Sequence, residues 1–303
     1  MPENSKTRSM KWIPSKNMYI IAKLCRRFNQ GKVYEVFWEY CGLTAEILSK
    51  RKANGWFYYE NGKLSGFALG RQRCGIIRMD GAFVFEEVWG PCDGISSELG
   101  VLSRRDRERA LRFKKLIDSL DFKFPIVLRA ATDDQFAHMI ARTLKARWVN
   151  GLIIAERRLN RKFEFSTPAE YKFRTFEDGD QFCMSEIHKE VFKETVSPED
   201  YKAWATAANC RTIIATHQEE PIGFIIAEKR RCDSLGDFNI AVKIAHQGKG
   251  IGSALLRTAF NVLIEMGVKR VIADYLMLNT SVHNLYQKHD FKPRRTYNYF
   301  LIR

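Results

Sequence analysis

The stretch Gln247-Gly248-Lys249-Gly250-Ile251-Gly252-Ser253 places glycine at alternate positions and then enters an apolar repeat. Chemistry at such a place belongs to the main chain. Bare backbone between a strand and a helix leaves N–H groups pointing outward at the helix start, where the helix dipole also favours negative charge. The pattern is that of an anion cradle, with phosphate the leading occupant. Two other phosphate loops fit the residues poorly. A Walker loop needs Gly-Lys followed by Ser or Thr, and Lys249 is followed by Gly250. A dinucleotide G-x-G-x-x-G begun at Gly248 meets Ser253 in its third glycine place, and begun at Gly250 it meets Leu255.

The elements around the glycines must position them. "DFNIAVKI" reads as a strand feeding the loop, and after it Ile251, Leu255, Ala259, Val262 and Met266 recur at helical spacing, with Gly267 where a C-terminal cap belongs. Upstream, "YKFRTF" reads as a strand, "GDQFCMSEIHKEVF" as a helix, and "SPEDYKAWATAA" as a second helix with Ser197 as N-cap and Pro198 at its first position. "RTIIATHQEEPIGFIIAEKR" reads as a hairpin turning at Glu-Glu-Pro. Downstream, "VKRVIADYLML" is a buried strand, "TSVHNLYQKHDF" a short helix and "TYNYFLI" a closing strand.

The first half repeats this order weakly. "WFYYENGKLSGFALG" is a hairpin whose Gly66-Phe67 answers Gly223-Phe224, followed by strand "AFVFEEVW", helix "RRDRERALRFKKLIDSL", strand "PIVLRAA", helix "QFAHMIARTLKARW" and strand "GLIIAERRL". Where the second half has its glycines, the first has "GPCDGISSELGVLS", without the alternation. The expected division is 1–160 and 161–303, with a tight junction near 158–166 because no Pro/Gly/Ser linker intervenes.

Gln247 to Gly252 matches the Gln/Arg-x-x-Gly-x-Gly/Ala pattern of the GNAT superfamily of acyl-CoA N-acyltransferases, and the chain resembles that family on both sides of it. "IAVKIAHQ" is similar to the family's fourth strand and "NTSVHNLYQKHDF" to its Asn…Leu-Tyr-x-Lys-x-Gly-Phe segment, with Asp290 where glycine is usual. The resemblance covers most of residues 171–303. It implies an α+β fold of two tandem GNAT-like domains, each a mixed, mostly antiparallel sheet flanked by helices, the N-terminal copy degenerate.

It further implies acetyl-CoA or another acyl-CoA as co-substrate, with no metal. The pantetheine arm would lie along Ala241, Val242 and Ile244, the pyrophosphate would rest on Gly248 to Ser253 with Lys249 adding charge, and Asn279 would contact the cofactor. Tyr286 would be the acid toward the departing thiolate and the Val242 N–H would polarise the thioester carbonyl. For the base that deprotonates the amine, Asp237 stands first, ahead of Glu228 and Asp274. His289 reads as a surface residue of the turn after the last helix.

The composition sets outer limits. Over 303 residues, 45% hydrophobic and 28% charged residues make a globular chain rather than a disordered one. No apolar run suits a membrane span and no signal-peptide core opens the chain, so a cytoplasmic protein without membrane partners is expected. The seven cysteines are scattered, without Cys-x-x-Cys, which indicates neither a disulfide frame nor a zinc site.

The net charge of +15 is concentrated in residues 1–160, which hold 29 Lys and Arg against 17 Asp and Glu. That excess suits an acidic amine acceptor flanked by Arg104, Arg105, Arg107 and Arg109, and leaves nucleic acid open as a partner. Two rival functions remain: a transferase drawing on aminoacyl-tRNA, and a non-catalytic acyl-CoA sensor or nucleic-acid binder.

Overall fold

The computed structural model describes residues 10–15, 53–60, 63–73, 76–84, 104–119, 125–132, 135–164, 170–230 and 234–302. Main-chain packing divides the chain into one unit of residues 1–152 with 296–303 and another of residues 153–295. The first contains β1 (Met10–Ser15), β2 (Ala53–Glu60), β3 (Lys63–Arg73), β4 (Ile76–Val84), α1 (Arg104–Ser119), β5 (Ile126–Ala131), α2 (Gln135–Thr143) and the start of β6 (Arg147–Arg158). The second contains β7 (Tyr171–Thr175), α3 (Asp180–Phe192), α4 (Pro198–Ala205), β8 (Cys210–His217), β9 (Glu220–Lys229), β10 (Leu235–Val242), a 3-10 turn at Ile244–His246, α5 (Ile251–Glu265), β11 (Arg270–Leu276), α6 (Thr280–Lys288) and the start of β12 (Lys292–Leu301).

In the first unit β1 to β4 pair antiparallel in succession and β5 lies parallel to β4. The second unit repeats that arrangement: β7 to β10 are antiparallel in succession and β11 lies parallel to β10. The register repeats as well, since Gly66 sits opposite Val84 and Gly223 opposite Val242. The division differs from the expected 160/161 because the last strand of each half does not stay with its own half. The end of β12 pairs with β5 from Tyr297↔Ala131 to Leu301↔Val127, while residues 153–158 of β6 adjoin β11.

In the second unit α5 buries Leu255, Leu256, Ala259, Phe260 and Leu263 against Ile225, Val271 and Ala273 on one face of the sheet. Met184, Ile187 and Tyr201 of α3 and α4 meet Ile214, Phe224 and Ile226 on the other. This is a mixed α/β sheet flanked by helices. In the first unit Phe113, Leu116, Met139 and Ile140 close over Ile126 and Leu128.

Local signals set the ends of these elements. The Ser197 hydroxyl accepts the Asp200 N–H at 3.1 Å, with Pro198 opening α4. Gly267, at φ 81, ends α5 with paired bonds, Gly267 N–H to the Ile264 carbonyl and Val268 N–H to the Leu263 carbonyl, each 2.9 Å. The β8–β9 hairpin turns at Gln218 and Glu219, both at positive φ, and Glu220 and Pro221 already belong to β9. A two-residue turn of this kind takes left-handed backbone at both positions, a conformation closed to the proline of the expected Glu-Glu-Pro turn.

"AFVFEEVW" enters the sheet earlier than expected, at Ile76, and its residues 85–89 lie outside the described residues, as does "GPCDGISSELGV". Among the described residues no helix is long and apolar enough to cross a membrane, no His/Cys/Asp/Glu group suits a metal, and Cys183 and Cys210 are free thiols.

His289 corrects another expectation: it is 3% exposed and lies against Phe260 at 6.1 Å between ring centroids. Aromatic Phe291 and the Arg157 guanidinium, which donates to the His289 carbonyl, pull the turn inward. Asp290, standing where glycine is usual, adopts left-handed backbone at φ 54, which aspartate tolerates better than most residues. Burial, with Arg257 and Arg157 nearby, lowers the His289 pKa from 6.5 to about 4. A histidine depressed in the folded chain gives stability that is complete above 6.5 and is lost as pH falls toward 4, because the unfolded chain takes the proton first. Urea unfolding at pH 7 and pH 4 should show His289→Gln losing less stability on acidification than the parent, the difference being up to about 3 kcal/mol.

Candidate active site

β10 and β11 pair only at Leu235↔Arg270 and Gly236↔Val271, whereas β10 stays paired with β9 through Val242↔Gly223. From Asp237 onward one edge of β10 therefore has no strand beside it among the described residues. The Lys243 N–H donates to the Ile222 carbonyl at 2.8 Å, which fixes the alternation. Main-chain groups of Asp237, Asn239 and Ala241 turn to β9, and those of Phe238, Ile240 and Val242 turn to the gap.

Two of the gap-facing groups are satisfied locally: the Phe238 N–H donates to Asp237 Oδ1 at 2.8 Å, and Gln247 Nε2 donates to the Val242 carbonyl at 2.9 Å. The N–H of Val242 and both main-chain groups of Ile240 face the opening. Gln247 thus works through its side chain on the strand end, a role its place in the motif did not reveal. Ile244 is not an extension of the strand. It lies in the 3-10 turn with its side chain 54% exposed, and its N–H donates to Glu190 Oε1 at 2.7 Å.

The glycine turn follows directly. Gly248 and Gly250 stand at φ 77 and 85, and no atom lies within 4 Å of where a Cβ would be on either. Their need for glycine is conformational, and the space above them is open. Gly250 is the N-cap of α5 without any side-chain cap, and the first helical bond runs from Ala254 N–H to the Gly250 carbonyl. The N–H groups of Ile251, Gly252 and Ser253 precede that bond, as the geometry of any helix start requires. Lys249 is exposed beside them.

Tyr286 reaches the gap from α6. It is 5% exposed, held by edge contacts to Phe238 at 5.8 Å and Tyr275 at 5.3 Å and by Phe291 at 5.1 Å. Burial first, then the carboxylates of Asp274 and Asp237, raise its pKa well above the usual phenol value, so it is a protonated donor throughout the physiological range. Its hydroxyl has no hydrogen-bond partner among the described residues.

The remaining carboxylates are placed less simply. Asp237 has both oxygens engaged, one with Phe238 N–H and one in an ion pair with Arg230, and burial outweighs that pair in raising its pKa. Glu228, opposite Asp237 on β9, accepts from Trp204 Nε1 at 3.4 Å and Asn209 Nδ2 at 3.3 Å. Asp274 is exposed on β11. Asn279 uses its side-chain oxygen as the N-cap of α6, accepting the Val282 N–H at 3.2 Å, because a strand-to-helix corner needs that acceptor. Reasoning from sequence missed Glu190 and Arg230, which act through contacts distant in sequence or across a turn.

Residues 181–291 match the Acetyltransferase (GNAT) family, so the second unit carries a GNAT acetyltransferase family domain. No curated protein matches the chain. Among solved structures, the GCN5-related N-acetyltransferase from Sphaerobacter thermophilus is similar at 15% identity over 96% of each chain, with a TM-score of 0.63. A tandem GNAT protein from the clavulanic acid biosynthesis pathway aligns at 12% identity over 97% of this chain and 98% of its own, with a TM-score of 0.66. A GNAT-family acetyltransferase from Colwellia psychrerythraea does so at 11% identity over 97% and 100%, with a TM-score of 0.63. The likeness at these identities is one of fold.

The glycines separate into two kinds, which unfolding measurements distinguish. Gly250→Ala should destabilise by about 1 kcal/mol or more because alanine must adopt positive φ. Gly252→Ala, whose Cβ would meet only Leu285 Cδ2 at 3.5 Å, should be neutral or stabilising by up to about 1 kcal/mol.

Proposed function

We propose that the protein is an acyl-CoA-dependent N-acyltransferase, with acetyl-CoA the leading donor, that moves the acyl group to an amine. The observation that carries this reading is the parting of β10 from β11 after Gly236, followed immediately by two open, positive-φ glycines at the start of α5. A narrow arm can lie along the edge of β10, with its diphosphate on the N–H groups of Ile251, Gly252 and Ser253. The match of residues 181–291 to the GNAT family supports the same assignment.

Acyl-CoA would supply an activated thioester. The Val242 N–H faces the gap and would polarise its carbonyl, and Tyr286, kept protonated by burial, would give a proton to the departing sulfur. Gln247 holds the end of β10 by engaging the Val242 carbonyl and so fixes the direction of that N–H. Asp237 is the candidate base only if its ion pair with Arg230 opens; a water relayed to it satisfies the same need. In this reading the first unit is a degenerate copy, since "GPCDGISSELGVLS" lacks the alternate glycines of the second half.

Calorimetry with coenzyme A, followed by thiol release from acetyl-CoA and longer acyl-CoAs against an amine panel, tests the assignment. Binding with thiol release is expected, binding without release identifies a sensor, and no binding removes the reading. Tyr286→Phe should lower kcat about 100-fold while leaving coenzyme A affinity within twofold, measured by the same two assays.

A further inference from the structure

The two ends of the gap fix the direction in which a donor lies. At one end is the glycine turn with the start of α5, and at the other β10 and β11 are still joined through Gly236↔Val271. An arm that rests its diphosphate on Ile251 to Ser253 and follows the edge of β10 therefore runs from Val242 toward Asp237, and its acyl group leads. The joined end has no slack: a Cβ on Gly236 would stand 3.0 Å from Val268 Cγ1 and 3.2 Å from both Leu263 Cδ atoms.

Aromatic rings cross the gap just inside that end. Phe238 stands opposite Ala227 on β9, and both lie in or against the apolar cluster that includes α5, so the Phe238 ring is on the α5 face of β10. There it meets Tyr286 of α6 at 5.8 Å between centroids, and Tyr286 meets Tyr275 of β11 at 5.3 Å, both edge-on. Phe291 backs the row, 6.0 Å from Phe238 and 5.1 Å from Tyr286. Tyr275, Tyr286 and Phe291 are buried, whereas Phe238, the ring carried by the gap's own strand, keeps part of its surface open. A thioester whose sulfur lies beside Tyr286 has the Phe238 ring beside its acyl group.

We propose that the Phe238 ring is the end wall of the acyl site and that it restricts the donor to short acyl groups, acetyl ahead of butyryl or longer. This rests on the transferase reading above and names the acyl class which that reading leaves open. The wall works by size, since each methylene that reaches past the ring must displace packed side chains, a cost of roughly tenfold or more in binding.

Calorimetric titration of coenzyme A, acetyl-CoA, butyryl-CoA and hexanoyl-CoA into the full chain tests this without an amine. The parent should bind acetyl-CoA about tenfold or more tightly than butyryl-CoA or hexanoyl-CoA. In Phe238→Ala the ratio of butyryl-CoA to acetyl-CoA affinity should rise about tenfold or more; read as a ratio, a general loss of affinity cancels. Phe238→Leu, which keeps an apolar side chain in the cluster, should move the same ratio in the same direction by about threefold, and it replaces the alanine variant should that one not fold by circular dichroism. Equal affinity for all three acyl-CoAs in the parent, or a length preference unmoved in the folded variants, would overturn the proposal, and binding of coenzyme A in the same titrations would leave the donor reading standing. Absence of coenzyme A binding would remove both.

Discussion

Between Asp237 and Val242 the strand β10 keeps one neighbour and loses the other, and every feature of the site answers the row of peptide groups that this loss exposes. A sheet edge inside a domain is costly unless its N–H and C=O groups find partners. Here the sequence supplies partners at the two ends of the row, Asp237 Oδ1 for the Phe238 N–H and Gln247 Nε2 for the Val242 carbonyl, and leaves the middle for a ligand. The strand is held straight by β9 and by the cores on both faces, so the opening is a fixed feature of the fold rather than a frayed end.

The glycine turn depends on that same parting. The chain leaving Val242 must fold back through the 3-10 turn to begin α5, and Glu190 of α3 secures the corner by accepting the Ile244 N–H. Gly248 and Gly250 then take backbone conformations that other residues resist, which points the first N–H groups of α5 outward. Apolar burial of Ile251, Leu255 and Ala259 fixes the helix, so the N–H groups it presents are pre-aimed.

Much of this was legible in the residues because the signals are local. Ser197 with Pro198, Gly267 after an apolar helix, and the alternate glycines each act within a few positions, and each landed where the pattern placed it. The parts that were not legible involve partners far apart in sequence. Nothing around Asn279 distinguishes a helix cap from a ligand contact, and His289 looks exposed until Phe260 and Arg157 are brought against it. The exchange of closing strands escaped for the same reason: "GLIIAERRL" and "TYNYFLI" have the same pattern whichever β-edge they join.

Hydrogen–deuterium exchange on the full chain, with and without saturating coenzyme A, measures the exposed row directly. The account predicts that the amides of Ile240 and Val242 on β10 and of Ile251 to Ser253 at the start of α5 slow on addition of the nucleotide, while those of β8, already paired on both sides, stay unchanged. Unaltered exchange at all of these amides, or protection confined to residues 1–152, would contradict it.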